Sequence, residues 1–177
     1  MAGALRLSQA WPSGAASGAI TYLVPLTAVA ALVGLAFVAA RRHDAGAVIL
    51  CVLGPLLAIV LTDSVLKPAI DRRDRLSLAY PSGHTAGATA IAVLVLVLAH
   101  RWRGWRGFAV ATPVAVAFPA VVGVALIRLN WHYPTDVVGG AAVGAATILA
   151  LGALVGGGRG TSAEPSAPEP ERTPHPA

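Results

Sequence analysis

Charge is what this sequence has little of. Only 12% of its residues are Asp, Glu, Lys or Arg, while 56% are hydrophobic and the mean hydropathy is +0.70. A soluble domain carries about twice that share of charge, so the composition excludes an ordinary soluble fold. Lysine is nearly absent: Lys67 stands alone beside twelve arginines. Those arginines, and the net charge of +5, sit in short gaps between apolar runs. That placement fits membrane-flanking loops far better than a nucleic-acid groove, and no nucleic-acid partner is expected. Cysteine is down to Cys51, inside an apolar run. No disulfide framework is possible within the chain, and the thiol reads as a small buried hydrophobe.

What remains is a series of apolar runs. The first, Ile20 to Ala40, is about 21 residues, enough to cross a hydrocarbon core of about 30 Å as a helix. Arg41 and Arg42 directly after it mark the flank of a retained helix rather than a cleaved signal peptide. Further runs cover roughly Ala47 to Leu66 with Pro55 inside, Thr85 to Ala99, Phe108 to Ile127 with Pro113 and Pro119, and Val137 to Val155. They predict an all-α, polytopic membrane bundle of about five transmembrane helices over residues 20–156. A short N-terminal segment, 1–19, precedes it. A tail rich in Pro, Ser, Ala and Glu, 157–177, follows and is expected to be disordered. Gly140 and Gly144 form a small-xxx-small face that lets two helices approach closely.

Five spans would put the gaps 67–84 and 128–136 on one membrane face. That face collects Lys67, Arg72, Arg73, Arg75, His84, Arg128, His132 and Asp136. The other collects Arg41, Arg42, Arg101, Arg103 and Arg106, with Trp102 and Trp105 as interfacial anchors. Raw arginine counts nearly balance. With the 67–75 cluster and Arg128 set aside as ligand-binding, the remaining bias makes 41–46, 100–107 and the C-terminal tail cytoplasmic. The candidate site then faces the extracytoplasmic side.

Clustered cations with two histidines and a carboxylate make an anion site with acid–base capacity. Each patch also has a bland reading: an interfacial basic loop, a helix start with an incidental histidine, a surface His–Asp pair. Asp63 lies four residues before Lys67, a spacing that permits an ion pair on a helix. In Tyr80-Pro81-Ser82-Gly83-His84-Thr85, Ser82 can cap the following helix and its free amides can cradle an anion. Gly83 lets a ligand approach the backbone, and His84 can donate a proton. His132 and Asp136 are four apart; a carboxylate on one imidazole nitrogen leaves the other free as base or nucleophile. His84, His132 and Asp136 with no Cys or Glu beside them make a poor metal set, and no metal or cofactor is expected.

Together the patches resemble the type 2 phosphatidic acid phosphatase superfamily, lipid phosphatases related in fold to vanadium haloperoxidases. Pro81-Ser82-Gly83-His84 matches the family's middle motif in full, and His132 with Asp136 matches the end of its third. The resemblance covers about Asp63 to Gly140. It implies that His132 attacks phosphorus to give a phosphohistidine, that Asp136 orients it, and that His84 protonates the leaving lipid oxygen. Lys67, Arg72, Ser82 and Gly83 would hold the phosphate, without a metal. Two positions depart from the pattern: Asp74 and Arg75 replace an Arg-Pro pair, and Ala125 and Leu126 replace Ser-Arg. Arg128, two residues on from the second position, is the remaining candidate phosphate ligand there. The expected substrate is a lipid phosphate held at the bilayer surface. Alternatives are a non-catalytic protein that binds anionic headgroups and, last, a small transporter.

Overall fold

The computed structural model describes residues 24–74, 77–78 and 80–156. The segments 1–19 and 157–177, and the start of the first apolar run, lie outside the described residues. The described chain is helical: α1 (Val24–Arg41), α2 (Ala45–Val60), a π-helical turn (Leu61–Leu66), α3 (Lys67–Ile70), α4 (Gly83–Arg128) and α5 (Pro134–Gly156). Two residue pairs, Arg73–Asp74 and Ser77–Leu78, form a short antiparallel bridge in the α3–α4 connection.

Among the described residues three helices are long and apolar enough to cross a membrane: Ala45–Ile70, Gly83–Arg128 and Pro134–Gly156. The first of these runs from α2 through the π turn into α3, and at 26 residues it is about 39 Å long. It outruns a hydrocarbon core of about 30 Å, so Lys67, expected in a gap, stands instead on the last turns of a helix. Asp71, at φ 47°, ends that helix in the left-handed conformation. Asp tolerates this conformation better than most residues.

The 46 residues of α4 are two arms of a hairpin. Gly104 interrupts the helix at φ 65°, ψ −156°, a combination essentially confined to glycine. Val122 and Leu126 pack on Ala88, whereas a straight helix would hold Ala88 and Val122 about 51 Å apart. At the tip, a side chain on Gly107 would collide with the Ala99 carbonyl, and His100 meets Trp105 edge-on at 4.7 Å. The charged stretch 100–107 is therefore helical on both sides of a one-residue reversal, where the sequence suggested a loop.

The core is built from small residues. Ala39 of α1, Ala47, Leu50, Cys51 and Ala58 of α2, Ala90, Leu94 and Leu98 of α4, and Ile148 of α5 form one buried cluster. Cys51 is 2% exposed there, as its apolar setting implied. The closest helix contact is α4 on α5. A Cβ on Gly140 would land on the Ser82 carbonyl, and one on Gly144 on the Ala86 carbonyl. The two backbones touch with no side chain between them.

Opposite ends of the bundle are tied differently. At one end Asp44 caps α2, accepting from the Ala47 amide at 3.1 Å. It also accepts from Arg101 Nη2 at 2.7 Å and from the Trp102 indole at 3.3 Å. The other end holds the candidate site.

Replacing Gly144 by Ala should destabilise the protein by about 1–3 kcal/mol, because the added carbon meets backbone that cannot step aside. Gly152→Ala adds the same carbon where nothing lies within 4 Å, and should be neutral or stabilising through helix propensity. Thermal unfolding in detergent checks the pair, with a drop of several degrees expected for the first substitution only.

Candidate active site

Helix α5 begins at Pro134, a residue suited to a first helical position because it has no amide hydrogen to leave unpaired. His132 therefore precedes the helix instead of sharing a face with Asp136 on it. Leading into the turn, Asn130 adopts φ 55° and the Trp131 amide bonds the Leu126 carbonyl at 3.0 Å. Asp136, two residues past Pro134, turns its Oδ2 back to accept the Tyr133 amide at 2.9 Å, as the acidic member of a capping box does.

Asp136 is fully buried. Its Oδ1 lies 3.1 Å from Arg72 Nη1, and the same nitrogen donates to Thr135 Oγ1 at 3.0 Å. The Arg72 guanidinium stacks between two rings, 5.7 Å from the Tyr80 centroid and 5.6 Å from that of Tyr133. It remains 41% exposed, so donors other than the one on Asp136 face outward. Tyr80 is pressed in turn against Gly139, where a Cβ would come within 2.6 Å of the ring.

His132 Nδ1 points at Asp136 Oδ2 from 3.7 Å, beyond hydrogen-bond distance. That nitrogen is buried and has no hydrogen-bond partner among the described residues. The burial of its ring pushes the His132 pKa below the ordinary imidazole value. Asp136 opposes the shift, and the positive charges of Lys67 and His84 add to it. The burial thus favours the unprotonated imidazole, the form a nucleophile or base requires.

Ser82 caps α4 through Oγ, which accepts from the Thr85 amide at 3.4 Å and from Thr85 Oγ1 at 3.1 Å. It is fully buried, and its own amide donates to the Asp136 carbonyl at 3.0 Å. The middle motif and the third are thus joined through backbone. Within Pro81–Thr85 the exposed residue is His84, its ring 6.4 Å from that of Trp131. Asp63, on the π turn, pairs with Lys67 at 2.6 Å. Its carboxylate lies so near Gly83 that a Cβ there would sit 2.7 Å from both oxygens. A cavity of about 120 Å³ opens beside His84, walled by Pro25, Ile59, Gly87, Ile91 and Phe118.

Lys67, Arg72, Ser82, Gly83, His84, His132 and Asp136 thus meet at one end of the bundle. Arg128 lies exposed at the end of α4. Leu126, two residues earlier, is 0% exposed and packs on Ala88 in the second core cluster, so an arginine at its position would have pointed into the hairpin. Asp63, Tyr80, Tyr133 and Thr135 belong to the arrangement and were not singled out from sequence as site residues. The two tyrosines, one opening the middle motif and one between His132 and Asp136, are the available signal.

A family profile described as the PAP2 superfamily matches residues 61–157. The chain belongs to that superfamily. The matched region begins in the π turn that carries Asp63 and includes every site residue described above. Curated relatives include the decaprenylphosphoryl-5-phosphoribose phosphatases of two Mycobacterium tuberculosis strains, CDC 1551 / Oshkosh and ATCC 25618 / H37Rv. Each is 37% identical over 82 residues, which is 46% of this chain and 40% of the relative. The match thus spans well under half the length of those relatives. No solved structure matches the chain.

The charges around His132 fix the direction of its titration. Histidine nitrogen NMR should show it titrating below the ordinary imidazole range. Lys67→Met should move the midpoint up, since it removes a repelling cation. Asp136→Asn should move it down, since it removes the carboxylate that favours the protonated ring.

Proposed function

We propose that this PAP2 protein is a membrane phosphatase that hydrolyses the phosphomonoester or diphosphate of a lipid, without a metal. The observation that carries the reading is the convergence on one end of the bundle of a largely buried His132, a buried Asp136, an exposed His84 and the cations Lys67 and Arg72. Family membership and the phosphatase activity named for the mycobacterial relatives support it.

In this reading the phosphate sits against the N-terminus of α4, where the first amides of a helix carry partial positive charge. Lys67 and the outward donors of Arg72 neutralise its oxygens. The His132 nitrogen remote from Asp136, Nε2, attacks phosphorus as the bond to the lipid oxygen breaks, and His84 gives that oxygen its proton. Water then attacks the phosphohistidine, His84 takes the water's proton, and inorganic phosphate leaves. The imidazole becomes cationic as the P–N bond forms, which draws Asp136 onto Nδ1 from its resting separation of 3.7 Å. Hydrogen bonds of this kind are often long without substrate and tighten in the reacting complex. Positioning and charge stabilisation supply the catalysis. The apolar cavity beside His84 suits the first part of a hydrocarbon tail that stays in the bilayer.

The topology that goes with this reading has five spans. Each arm of the Gly104 hairpin counts as one, at 21 and 24 residues on either side of that glycine, about 31 and 36 Å. With α1, the Ala45–Ile70 span and α5 they make five; in this topology the site faces the extracytoplasmic side and residues 157–177 the cytoplasmic side. Leu126 at the family's arginine position favours a second reading, in which the site binds anionic lipid headgroups without turnover.

A panel of lipid phosphates offered to detergent-purified protein, with a chelator present, separates the two. Phosphate release that survives chelation and falls by about 10³-fold or more in His132→Ala is expected of the enzyme. Lipid binding with no release from any substrate would sink it in favour of the second reading.

A further inference from the structure

A larger concavity lies at the end of the bundle away from Asp136. It is a cleft of about 590 Å³ between α1 and the tip of the Gly104 hairpin. Its walls are apolar: Leu35 and Val38 from α1, Val95 and Leu98 from the first arm, Val110 and Ala111 from the second. Its rim carries Arg42, Arg103 and Arg106, all exposed, with Trp102 beside them. Among the described residues the carboxylate at this end is Asp44, and it is already matched by Arg101 at 2.7 Å and by the Trp102 indole. Three guanidiniums therefore ring an apolar cleft with no acidic side chain of the described residues to balance them.

We propose that this cleft is a binding site for an anionic glycerophospholipid. The phosphodiester lies on Arg42, Arg103 and Arg106, and one acyl chain runs between α1 and the hairpin. Guanidinium forks suit phosphate oxygens, and a cation-ringed pocket beside membrane helices is the form in which anionic headgroups are held. The chain's own tail offers acid at Glu164, Glu169 and Glu171, but residues 157–177 contain no Leu, Ile, Val, Phe, Met or Trp to fill the walls. A second copy of the chain would bring the same arginines to the same place. The lipid satisfies charge and apolar surface together. It would also fasten α1, which packs chiefly on α2, to the hairpin. None of this depends on whether the opposite end is catalytic.

Native mass spectrometry of the full-length protein, offered equal amounts of dioleoyl phosphatidylglycerol and dioleoyl phosphatidylcholine, tests the site. Preferential retention of phosphatidylglycerol is expected. It should fall about 10- to 30-fold in R103A/R106A and survive in R103K/R106K. Equal retention of the two lipids, or a preference that persists in R103A/R106A, overturns the proposal. So does a preference lost in Lys67→Ala, which puts the lipid at the other end. A preference emerging only in E164Q/E169Q/E171Q identifies the acidic tail as the occupant and overturns it equally.

Discussion

The buried carboxylate of Asp136 is the group around which one end of this protein is arranged. A carboxylate at 0% exposure is tolerable only if its oxygens are matched. The matches come from two stretches of chain. Arg72 reaches across from the connection after α3, the Tyr133 amide comes from the turn before α5, and His132 stands just beyond bonding distance. The Asp136 backbone carbonyl takes the Ser82 amide and so ties in the start of α4. Removing the carboxylate would leave the Arg72 guanidinium and a buried imidazole nitrogen with nothing between them.

The opposite end solves a similar problem for a different purpose. Asp44 is also nearly buried, and it too gathers an arginine, a ring nitrogen and a backbone amide. Each polar atom named there is satisfied. That end is a fastening. At the site end an orphaned Nδ1 and a half-exposed arginine are left over, and unsatisfied groups of that kind mark where chemistry is expected.

Much of this was legible in the residues. Apolar runs announced the helices because a bilayer demands about 20 apolar residues per crossing. The spacing of Asp63 and Lys67 announced their ion pair, and Gly140 with Gly144 announced a close helix contact. Three things were hidden. The reversal at Gly104 rests on one dihedral combination that nothing in Arg-Trp-Arg-Gly-Trp-Arg distinguishes from an ordinary loop. The partner of Asp136 was assigned to His132 alone, because spacing within a helix can be counted and the approach of Arg72 from 64 residues away cannot. The burial of Leu126 depends on the hairpin, so it followed the hairpin into obscurity.

The naked backbone contact between α4 and α5 has a consequence for how such a site can be tuned. With carbonyls of Ser82 and Ala86 seated on Gly140 and Gly144, no rotamer separates the two helices and none can be exchanged for another. Ser82, Gly83 and Asp136 form a fixed anvil. What can vary is the clamp above it: the π turn, the short α3 and the connection bearing Arg72, which approach through long side chains on a separate length of chain. Descendants of this sequence that need a headgroup of another size or charge have their freedom in residues 61–74 around Lys67 and Arg72, and almost none in 82–90 or 136–144.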